Sequence, residues 1–458
     1  MGGRQRGWLG TEESMMGIRR RRGTLRLLAS VAALALIAGA CGVDDNDEEP
    51  EAADGDGQLV YWSMWNAGEP QAEVLEAAFE EFEEATGITV EVQWAGREVL
   101  QQVRTRLGGD VPDLVEQEGG ELAGALDSVG GLHGLADVYE MQIDGEDLTV
   151  ADVIDETFID AYRTEDGEPF VVPYELIGST IWFNGADHPG LADDPPATWD
   201  EFIDLLEDLK ADGREPIALD GDIRFYLSYW ATWSIIRHGG VGLLRDAALD
   251  ESGESFDDPA FLAAAEDLYE LIEGDYIVTD FTATQWPAQQ TDWAAGDSPT
   301  DFLLMGSWAP SETAEVAREG FEYRSFRYPE VEGGAGNGAA EAGVIGFAIP
   351  DGAANVDAAK EFITFFLNRD RIEPIASETL NLTPREDVPV PDQLVDLKQQ
   401  IEEAEEFFLP YDNADGVAPD WNTNIFEEVV TEFFNGEHTP QEFVDQMRNR
   451  TAEFYAAQ

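Results

Sequence analysis

Apolar and polar positions follow two alternating periods in the part of the chain after residue 57. QLVYWSMW, 58 to 65, is β-branched and aromatic and predicts a strand. Residues 70 to 86 open with a proline and repeat apolar side chains three and four positions apart, which predicts a helix that ends at Gly87. ITVEVQW then predicts a strand, REVLQQVRTRLGGD a helix ending at Gly108, and DLVEQ a third strand. This β-α-β-α-β order is typical of a layered α/β lobe.

The second half of the chain contains longer helical patterns. PFVVPYELIGSTIWFN, 169 to 184, predicts an extended segment, and in PPATWDEFIDLLEDLKADG the pair Thr198 and Glu201 predicts a capping box. Helices dominate from 225 to 310. FEYRSFRYP and VIGFAIP predict strands on either side of a loop, EGGAGNGAAEAG. NVDAAKEFITFFLNRD and PQEFVDQMRNRTAEFYAAQ predict amphipathic helices, and no internal repeat interrupts this order.

The N-terminal 57 residues follow neither period. Four arginines at 19–22 precede an uncharged run, 27 to 40, that is too short to span a membrane and predicts an export signal over residues 1–40. The alternative, a buried core helix, lacks a polar face. The run ends in AGAC, which resembles a bacterial lipobox with Cys41 as the acylated residue, although Ile37 lies four positions before the cysteine where a lipobox has its large aliphatic residue three before. The acidic stretch that follows completes a predicted disordered tether, 41–57.

Composition narrows the functional classes. The chain has 26 Lys and Arg against 96 Asp and Glu, a net charge of −70, which disfavours nucleic acid and anionic lipid headgroups as partners. A single cysteine leaves no disulfide framework, so the fold depends on its core. Two explanations of this acidity stay open, which are adaptation to high salt and the generic acidity of proteins from a GC-rich genome.

Six motifs in order resemble the extracellular solute-binding proteins of ABC importers, in the branch that binds sugars. They are AFEEFEEATGITVEV, GGDVPDLV, VPYELIGSTIWFN, PPATWDEFIDLLEDLKADG, AAGDSPTDFLLMGSWAP and AGVIGFAIPDGAANVDAAKEFITFFLN. The likeness covers about residues 58 to 456. One departure is GDSPTD, where the family has a Gly-Lys-Ala run before Gly-x-Trp.

The resemblance implies an α/β, two-lobed periplasmic-binding-protein-like fold of type II, with discontinuous lobes joined by a hinge. Residues 58–173 with 329–385 would form one lobe, and 174–328 with 386–458 the other. The implied function is capture of a sugar or oligosaccharide in the interlobe cleft and delivery to the permease subunits of an ABC importer. It also implies a monomer without cofactor, exported and held by lipid on the outer face of the cytoplasmic membrane.

A sugar needs hydrogen-bonding groups along its edge and aromatic planes against its faces. Trp65 follows the first strand at the edge where α/β sheets bind ligands, and Glu69 lies in the next loop. Gln117 and Glu118 end the third strand, and Tyr174 follows the first interlobe crossing. The resemblance adds three further candidates, which are Trp230, Trp308 and Trp421, and Asn337 in the glycine-rich loop is a candidate for contact with a ligand hydroxyl.

Other chemistries receive less support from the residues. The carboxylates are too numerous for any close pair to indicate a glycosidase. The four histidines lack metal-ligand spacing, and YDNADG, 411 to 416, lacks the acidic third position and terminal glutamate of a calcium loop. The sequence therefore predicts no enzyme activity and no metal. A binder of the same fold for polyamine, iron or peptide stays open as the alternative, although surplus tryptophans favour sugar.

Overall fold

The computed structural model describes residues 57–164 and 166–458. The predicted signal peptide, Cys41 and residues 42–56 of the predicted tether lie outside the described residues. In the described part of the chain, no helix is both long enough and apolar enough to cross a membrane.

Eleven strands form within the described residues. In chain order they are β1 (Gln58–Ser63), β2 (Thr89–Trp94), β3 (Leu114–Glu118), β4 (Val172–Ile177), β5 (Ser179–Asn184), β6 (Ile217–Ala218), β7 (Phe302–Gly306), β8 (Tyr323–Phe326), β9 (Ala339–Glu341), β10 (Gly343–Ala348) and β11 (Glu406–Phe408).

The strands belong to two larger sheets and one small one. The first sheet has the order β2-β1-β3-β10-β4, and the second has the order β6-β7-β5-β8. Strand β1 runs parallel to β2 and β3, whereas β10 runs antiparallel to β3 and β4. Strands β9 and β11 run parallel to each other and form the small third sheet. We call the parts built on the five-stranded and four-stranded sheets the first lobe and the second lobe.

Eighteen α-helices accompany these strands in the described residues. They are α1 (Pro70–Thr86), α2 (Val99–Arg104), α3 (Gly119–Ala125), α4 (Ala136–Glu140), α5 (Glu156–Ala161), α6 (Trp199–Ala211), α7 (Arg224–Gly239), α8 (Leu243–Ala248), α9 (Pro259–Glu273), α10 (Ala288–Ala295), α11 (Ala309–Thr313), α12 (Val356–Phe366), α13 (Arg369–Ser377), α14 (Val395–Glu402), α15 (Ala414–Val417), α16 (Pro419–Trp421), α17 (Glu427–Phe434) and α18 (Pro440–Ala456).

Local signals set the ends of the best-predicted helices. Helix α1 begins at Pro70 and ends at Gly87, whose φ of 78° lies in the left-handed region that favours glycine. The predicted capping box of α6 is present, because Thr198 and Glu201 each accept from the other's backbone N–H. Helix α2 is shorter than predicted, since its regular part ends at Arg104 and the chain then turns through Gly108, whose φ of 79° is left-handed.

The chain passes between the lobes near Gly178. Strand β4 pairs in the first sheet through Ile177, four residues beyond the boundary predicted at 173, and β5 starts the second sheet at Ser179. A side chain at Gly178 would come within 2.7 Å of the Glu341 carbonyl oxygen, so the crossing leaves no room for a larger residue. The other predicted lobe boundaries, near 329 and 385, stay predictions.

The glycine-rich segment predicted as a loop contains a short strand, β9. The buried guanidinium of Arg237 organises it by donating to the carbonyl oxygens of Tyr328, Pro329, Gly336 and Ala339. Burial lowers the pKa of Arg237 to about 10, and five-donor geometry allows one side chain to satisfy several carbonyls at once.

Candidate functional site

Trp65 lies two residues past the end of β1, in the first lobe. Its indole is 6% exposed, and its Nε1 donates to the Tyr174 hydroxyl at 2.9 Å. The guanidinium of Arg97 lies over the ring, 4.6 Å from the centroid. The indole is therefore fixed in orientation at the edge of the first sheet, with one face already in contact with a cation.

Arg97 is held by the loop that follows β1. Its Nη1 donates to the Met64 carbonyl at 2.7 Å and to Glu69 Oε2 at 2.9 Å. The other oxygen of Glu69 accepts from Asn66 Nδ2 at 2.7 Å. Glu69, predicted as a ligand acceptor, is thus engaged in positioning Arg97.

A buried carboxylate supports Trp65 from below. Glu116 is fully buried and accepts from the hydroxyls of Tyr61, Ser63 and Tyr174, the last at 3.1 Å. Burial raises the pKa of Glu116 to about 7 against the lowering effect of these hydrogen bonds. Tyr174 is fully buried too, so its place in the site is to link Glu116 to the Trp65 indole.

Gln117 and Glu118, also predicted for the site, end β3. Gln117 is 2% exposed; its Nε2 donates to the Arg97 carbonyl at 3.4 Å and its Oε1 accepts from the Glu118 N–H. Glu118 caps α3, its Oε2 accepting from the Glu121 N–H at 2.9 Å. Its Oε1 is shielded from solvent and has no hydrogen-bond partner among the described residues.

The second lobe contributes a cluster of aromatic rings. Phe225 lies 4.5 Å from Tyr229, 5.1 Å from Tyr411 and 6.4 Å from Trp308, measured between ring centroids, and the Trp308 pair is stacked at 23°. Phe225, Trp308 and Tyr411 keep part of their surface exposed. The Trp308 ring lies against Gly306, where any side chain would overlap it, which gives the Gly-x-Trp spacing a packing reason.

Charges of each lobe influence carboxyl groups of the other. Desolvation raises the pKa of Glu312 in the second lobe to about 7, and the positive charge of Arg97 in the first lobe opposes part of this rise. Desolvation likewise raises the pKa of Glu121 in the first lobe to about 7, and Glu427 of the second lobe adds to the rise. The side chains of Glu121 and Glu312 are both exposed to solvent. We call this boundary region between the two lobes the cleft.

Glu118 and Asp415 meet at the base of this cleft. Helix α15 of the C-terminal region packs against α3 of the first lobe. The two carboxylates flank Gly120. A Cβ atom placed on Gly120 would lie 3.0 Å from Glu118 Oε2 and 3.1 Å from Asp415 Oδ2. Burial, then repulsion between the two groups, raises the pKa of Asp415 well above its ordinary value. The pair is a shared feature of both lobes.

The segment before α15 has an unusual backbone. Tyr411, Asp412 and Asn413 have φ values of 54°, 57° and 64°, all left-handed and none on glycine. The Asp412 carboxylate holds the turn by accepting from the N–H groups of Gly242 at 2.8 Å and Leu244 at 3.0 Å. Such backbone strain persists only where surrounding contacts impose it, and here it orients Tyr411 into the aromatic cluster.

Two predicted tryptophans lie in the interior instead of the cleft. Trp230 is fully buried beside Phe202 and Tyr328, and Trp421 is fully buried between Phe256 and Phe426. Neither ring has a free face for a ligand. The prediction for Trp230 and Trp421 is therefore corrected, because aromatic residues at helical spacing here fill the core of the second lobe.

Asn337 has a local role in the loop before β9. Its Oδ1 accepts from the Val331 N–H at 3.0 Å and its Nδ2 donates to the Val331 carbonyl at 2.8 Å. These two bonds close a turn, and the amide is used by the loop rather than presented to the cleft.

Several cleft residues were missed by sequence reasoning. Arg97, Tyr411 and Asp415 carry no family motif in the patterns considered above. The signal for Arg97 is its place three residues after the predicted strand ITVEVQW, in a chain that has few basic residues. The signal for the other two is YDNADG, a run of turn-forming residues whose asparagine and aspartates tolerate left-handed geometry.

A metal role receives no support from this geometry. Among residues 57–164 and 166–458, no group of three or more His, Cys, Asp or Glu side chains is placed to hold a metal ion. The cleft instead combines aromatic faces with scattered carboxylates, which suits a ligand with several hydroxyl donors and apolar ring faces.

Curated relatives match this chain at low sequence identity. The chain is 23% identical over 324 residues to a protein of Brucella suis biovar 1 (strain 1330) described as a probable sugar-binding periplasmic protein, covering 68% of this chain and 70% of the relative. It is also 23% identical over 227 residues to the diacetylchitobiose binding protein NgcE of Streptomyces coelicolor, covering 49% of this chain and 47% of that protein.

A solved structure and a family match settle the fold. The structure of a chitin oligosaccharide binding protein superposes with a TM-score of 0.71 at 22% identity, covering 87% of this chain and 99% of that one. The fold is thus two-lobed and α/β, of the type II periplasmic-binding kind, as the sequence predicted. The family described as bacterial extracellular solute-binding proteins matches residues 66–370. With two thirds of its length inside that match, the chain belongs to the bacterial extracellular solute-binding protein family.

Proposed function

We propose that the protein binds a carbohydrate between the Trp65 and Trp308 walls and delivers it to the permease subunits of an ABC importer. The observation that supports this proposal is the combination of an oriented indole in the first lobe with a partly exposed aromatic cluster in the second. Aromatic planes suit the C–H faces of a sugar ring, and the carboxylates nearby suit its hydroxyls.

The cleft carboxylates support the same conclusion. Glu121 and Glu312 remain accessible to solvent, so their oxygens are free to accept from ligand hydroxyls. Relatives described as sugar-binding and chitin-oligosaccharide-binding proteins agree with this ligand class. Binding without turnover is the role that the family implies, and the protein acts as a monomeric receptor in this proposal.

A thermal-shift screen with mono- and oligosaccharides tests the proposal, with putrescine, ferric chelates and peptides as the comparison set. A specific sugar at a thousandfold excess over its Kd stabilises the folded state by roughly 4 kcal/mol. A response confined to the comparison set would contradict the proposal and favour a non-sugar ligand.

Trp308→Ala is the variant that tests the second wall. We expect affinity for the sugar found in the screen to fall by about 1–3 kcal/mol, because a stacking surface is lost. Tyr269→Ala, which removes a half-buried ring on α9 beside Phe433, is the matched control and leaves the titration unchanged. Equal affinities of wild type and Trp308→Ala by calorimetry would remove this indole from the site.

The proposal includes lipid anchoring through Cys41. A short apolar run, a lipobox-like AGAC and an acidic tether support acylation at this cysteine. Stable anchoring needs more than one acyl chain, which an acylated N-terminal cysteine supplies. In cells that process lipoproteins, the wild type is expected in the membrane fraction and Cys41→Ser in the soluble exported fraction. A wild-type protein whose intact mass lacks the acyl groups would contradict anchoring.

A further inference from the structure

A group of buried polar side chains, which we call the polar pocket, lies where helix α3 meets helix α15. It is formed by Glu118 and Asp415, with the hydroxyls of Tyr162 and Tyr229. Glu118 Oε1, Asp415 Oδ1 and both tyrosine oxygens are shielded from solvent, and none has a hydrogen-bond partner among the described residues. Tyr162 and Tyr229 are each 2% exposed. Buried polar atoms of this kind normally have a partner, so four together indicate a ligand group.

Electrostatics connect these four side chains. After burial, Glu118 and Asp415 are the largest influences that raise the pKa of Tyr162, and Glu341 and Glu118 both raise that of Tyr229. The Tyr162 ring also lies against Gly119, the residue that follows Glu118, at 2.2 Å from the point where a side chain of Gly119 would begin. The pocket thus has contributions from β3, α15 and α7.

The carboxylates in this pocket lack positive partners. Across residues 57–164 and 166–458, neither Glu118 nor Asp415 forms an ion pair. Glu121 and Glu341 add further negative charge nearby, since Glu121 raises the pKa of Asp415 and Glu118 raises that of Glu341. Two carboxylates at close range repel each other unless a proton or a cation lies between them.

We propose that this pocket binds a primary ammonium group of the ligand, so that the preferred carbohydrate is an amino sugar. This inference rests on the proposed carbohydrate function and narrows it. An ammonium group supplies one positive charge and three N–H donors, enough for Glu118 Oε1, Asp415 Oδ1 and one tyrosine oxygen. A sugar hydroxyl supplies one donor and no charge, and an acetamide supplies one N–H donor with added bulk.

Three β-1,4-linked disaccharides that differ only at carbon 2 test the proposal. They are the glucosamine disaccharide with free amines, its di-N-acetylated form, and cellobiose, compared by calorimetry at mildly acidic pH and fixed salt. We expect the free-amine sugar to bind the wild type at least about tenfold more tightly than cellobiose, because charge-assisted hydrogen bonds replace neutral ones. Equal affinity, or tighter binding of the acetylated form, overturns the proposal.

Asp415→Asn keeps the shape of the pocket and removes one charge. It is expected to abolish the preference for the free-amine sugar, measured as the ratio of the Kd for cellobiose to the Kd for the free-amine sugar. Asp420→Asn, which removes an exposed charge on the adjacent helix α16, is the matched control and retains the preference. Glu118→Gln is the second variant and gives the same loss of preference as Asp415→Asn if the pocket holds the amine.

The preference for an amino sugar and the proposed carbohydrate function can be contradicted separately. Binding of neutral sugars with no advantage for the amine overturns this inference and leaves the proposed function intact. Failure of every carbohydrate in the thermal-shift screen overturns both.

Discussion

The two walls of the cleft are stabilised by different forces. In the first lobe, Trp65 and Arg97 are fixed by hydrogen bonds and charge, through Tyr174, Glu116 and Glu69. In the second lobe, Trp308 is fixed by packing among Phe225 and its neighbouring rings. The first wall therefore depends on protonation and salt, whereas the second depends on side-chain volume.

The two walls also differ in what they offer a ligand, since the first has a ring of fixed orientation and the second has more exposed aromatic surface. Hydrogen bonds fix the angle of the Trp65 ring but leave little of its surface exposed. The aromatic cluster leaves Phe225, Trp308 and Tyr411 partly exposed. We expect ligand orientation to be set by the first wall and stacking affinity by the second, and three variants test how far that distinction holds.

Glu116→Leu is expected to have the largest effect. It removes the acceptor for three buried hydroxyl groups, and the free energy of unfolding falls by about 4 kcal/mol, measured by urea denaturation. Tyr229→Phe removes a hydroxyl that has no partner among the described residues, and changes stability by less than about 0.5 kcal/mol. Comparable losses in both variants would show that hydrogen bonding does not distinguish the walls.

Glu175→Gln tests the dependence of the first lobe on pH. Glu175 is 1% exposed, and burial, followed by repulsion from Glu116, raises its pKa from 4.5 to about 8. The folded protein then keeps a proton that the unfolded chain has released, so the free energy of unfolding falls as pH rises from about 4.5 to about 8.

The variant reduces this fall by an amount on the order of 3 kcal/mol between about pH 5.5 and pH 8, seen in urea titrations at both values. Glu361→Gln, at an exposed position on α12, is the control and keeps the wild-type slope. An unchanged slope in Glu175→Gln would mean that its carboxyl group is ionised in the folded protein over this range.

Glu69→Gln is expected to have the smallest effect. The Arg97 and Glu69 side chains are 50% and 29% exposed, so their ion pair contributes less than about 1 kcal/mol to ligand affinity. Arg97 keeps its bond to the Met64 carbonyl and its contact with Trp65. A loss that persists in high salt would indicate that Glu69 contacts the ligand directly, since screening removes the contribution of an exposed pair.

The fold was largely predictable from local signals. Pro70 and Gly87 marked the two ends of α1, and Thr198 with Glu201 marked the start of α6. These signals act within a few residues, so the sequence carries them directly. Helix α2 was overestimated, and the short strand β9 was missed, because tertiary pairing rather than propensity decides such short elements.

The site was less predictable because it depends on contacts between distant segments. Trp65 follows a predicted strand, so its position at a sheet edge is visible in the pattern, whereas Trp308 was a candidate only through the family resemblance because strand β7 was not predicted. Trp230 and Trp421 carry the same side chain, but the core of the second lobe absorbs both. The pairing of Glu118 with Asp415 joins residues almost three hundred positions apart, and no local pattern reports it.

The guanidinium over Trp65 has a consequence for the empty receptor. An aromatic ring with one face covered by its own chain offers less adhesive surface to other proteins. A sugar that takes that face must exchange places with a cation, and only rings whose contacts outweigh this exchange will remain bound. The Arg97 side chain therefore limits which ligands stay bound at the Trp65 indole.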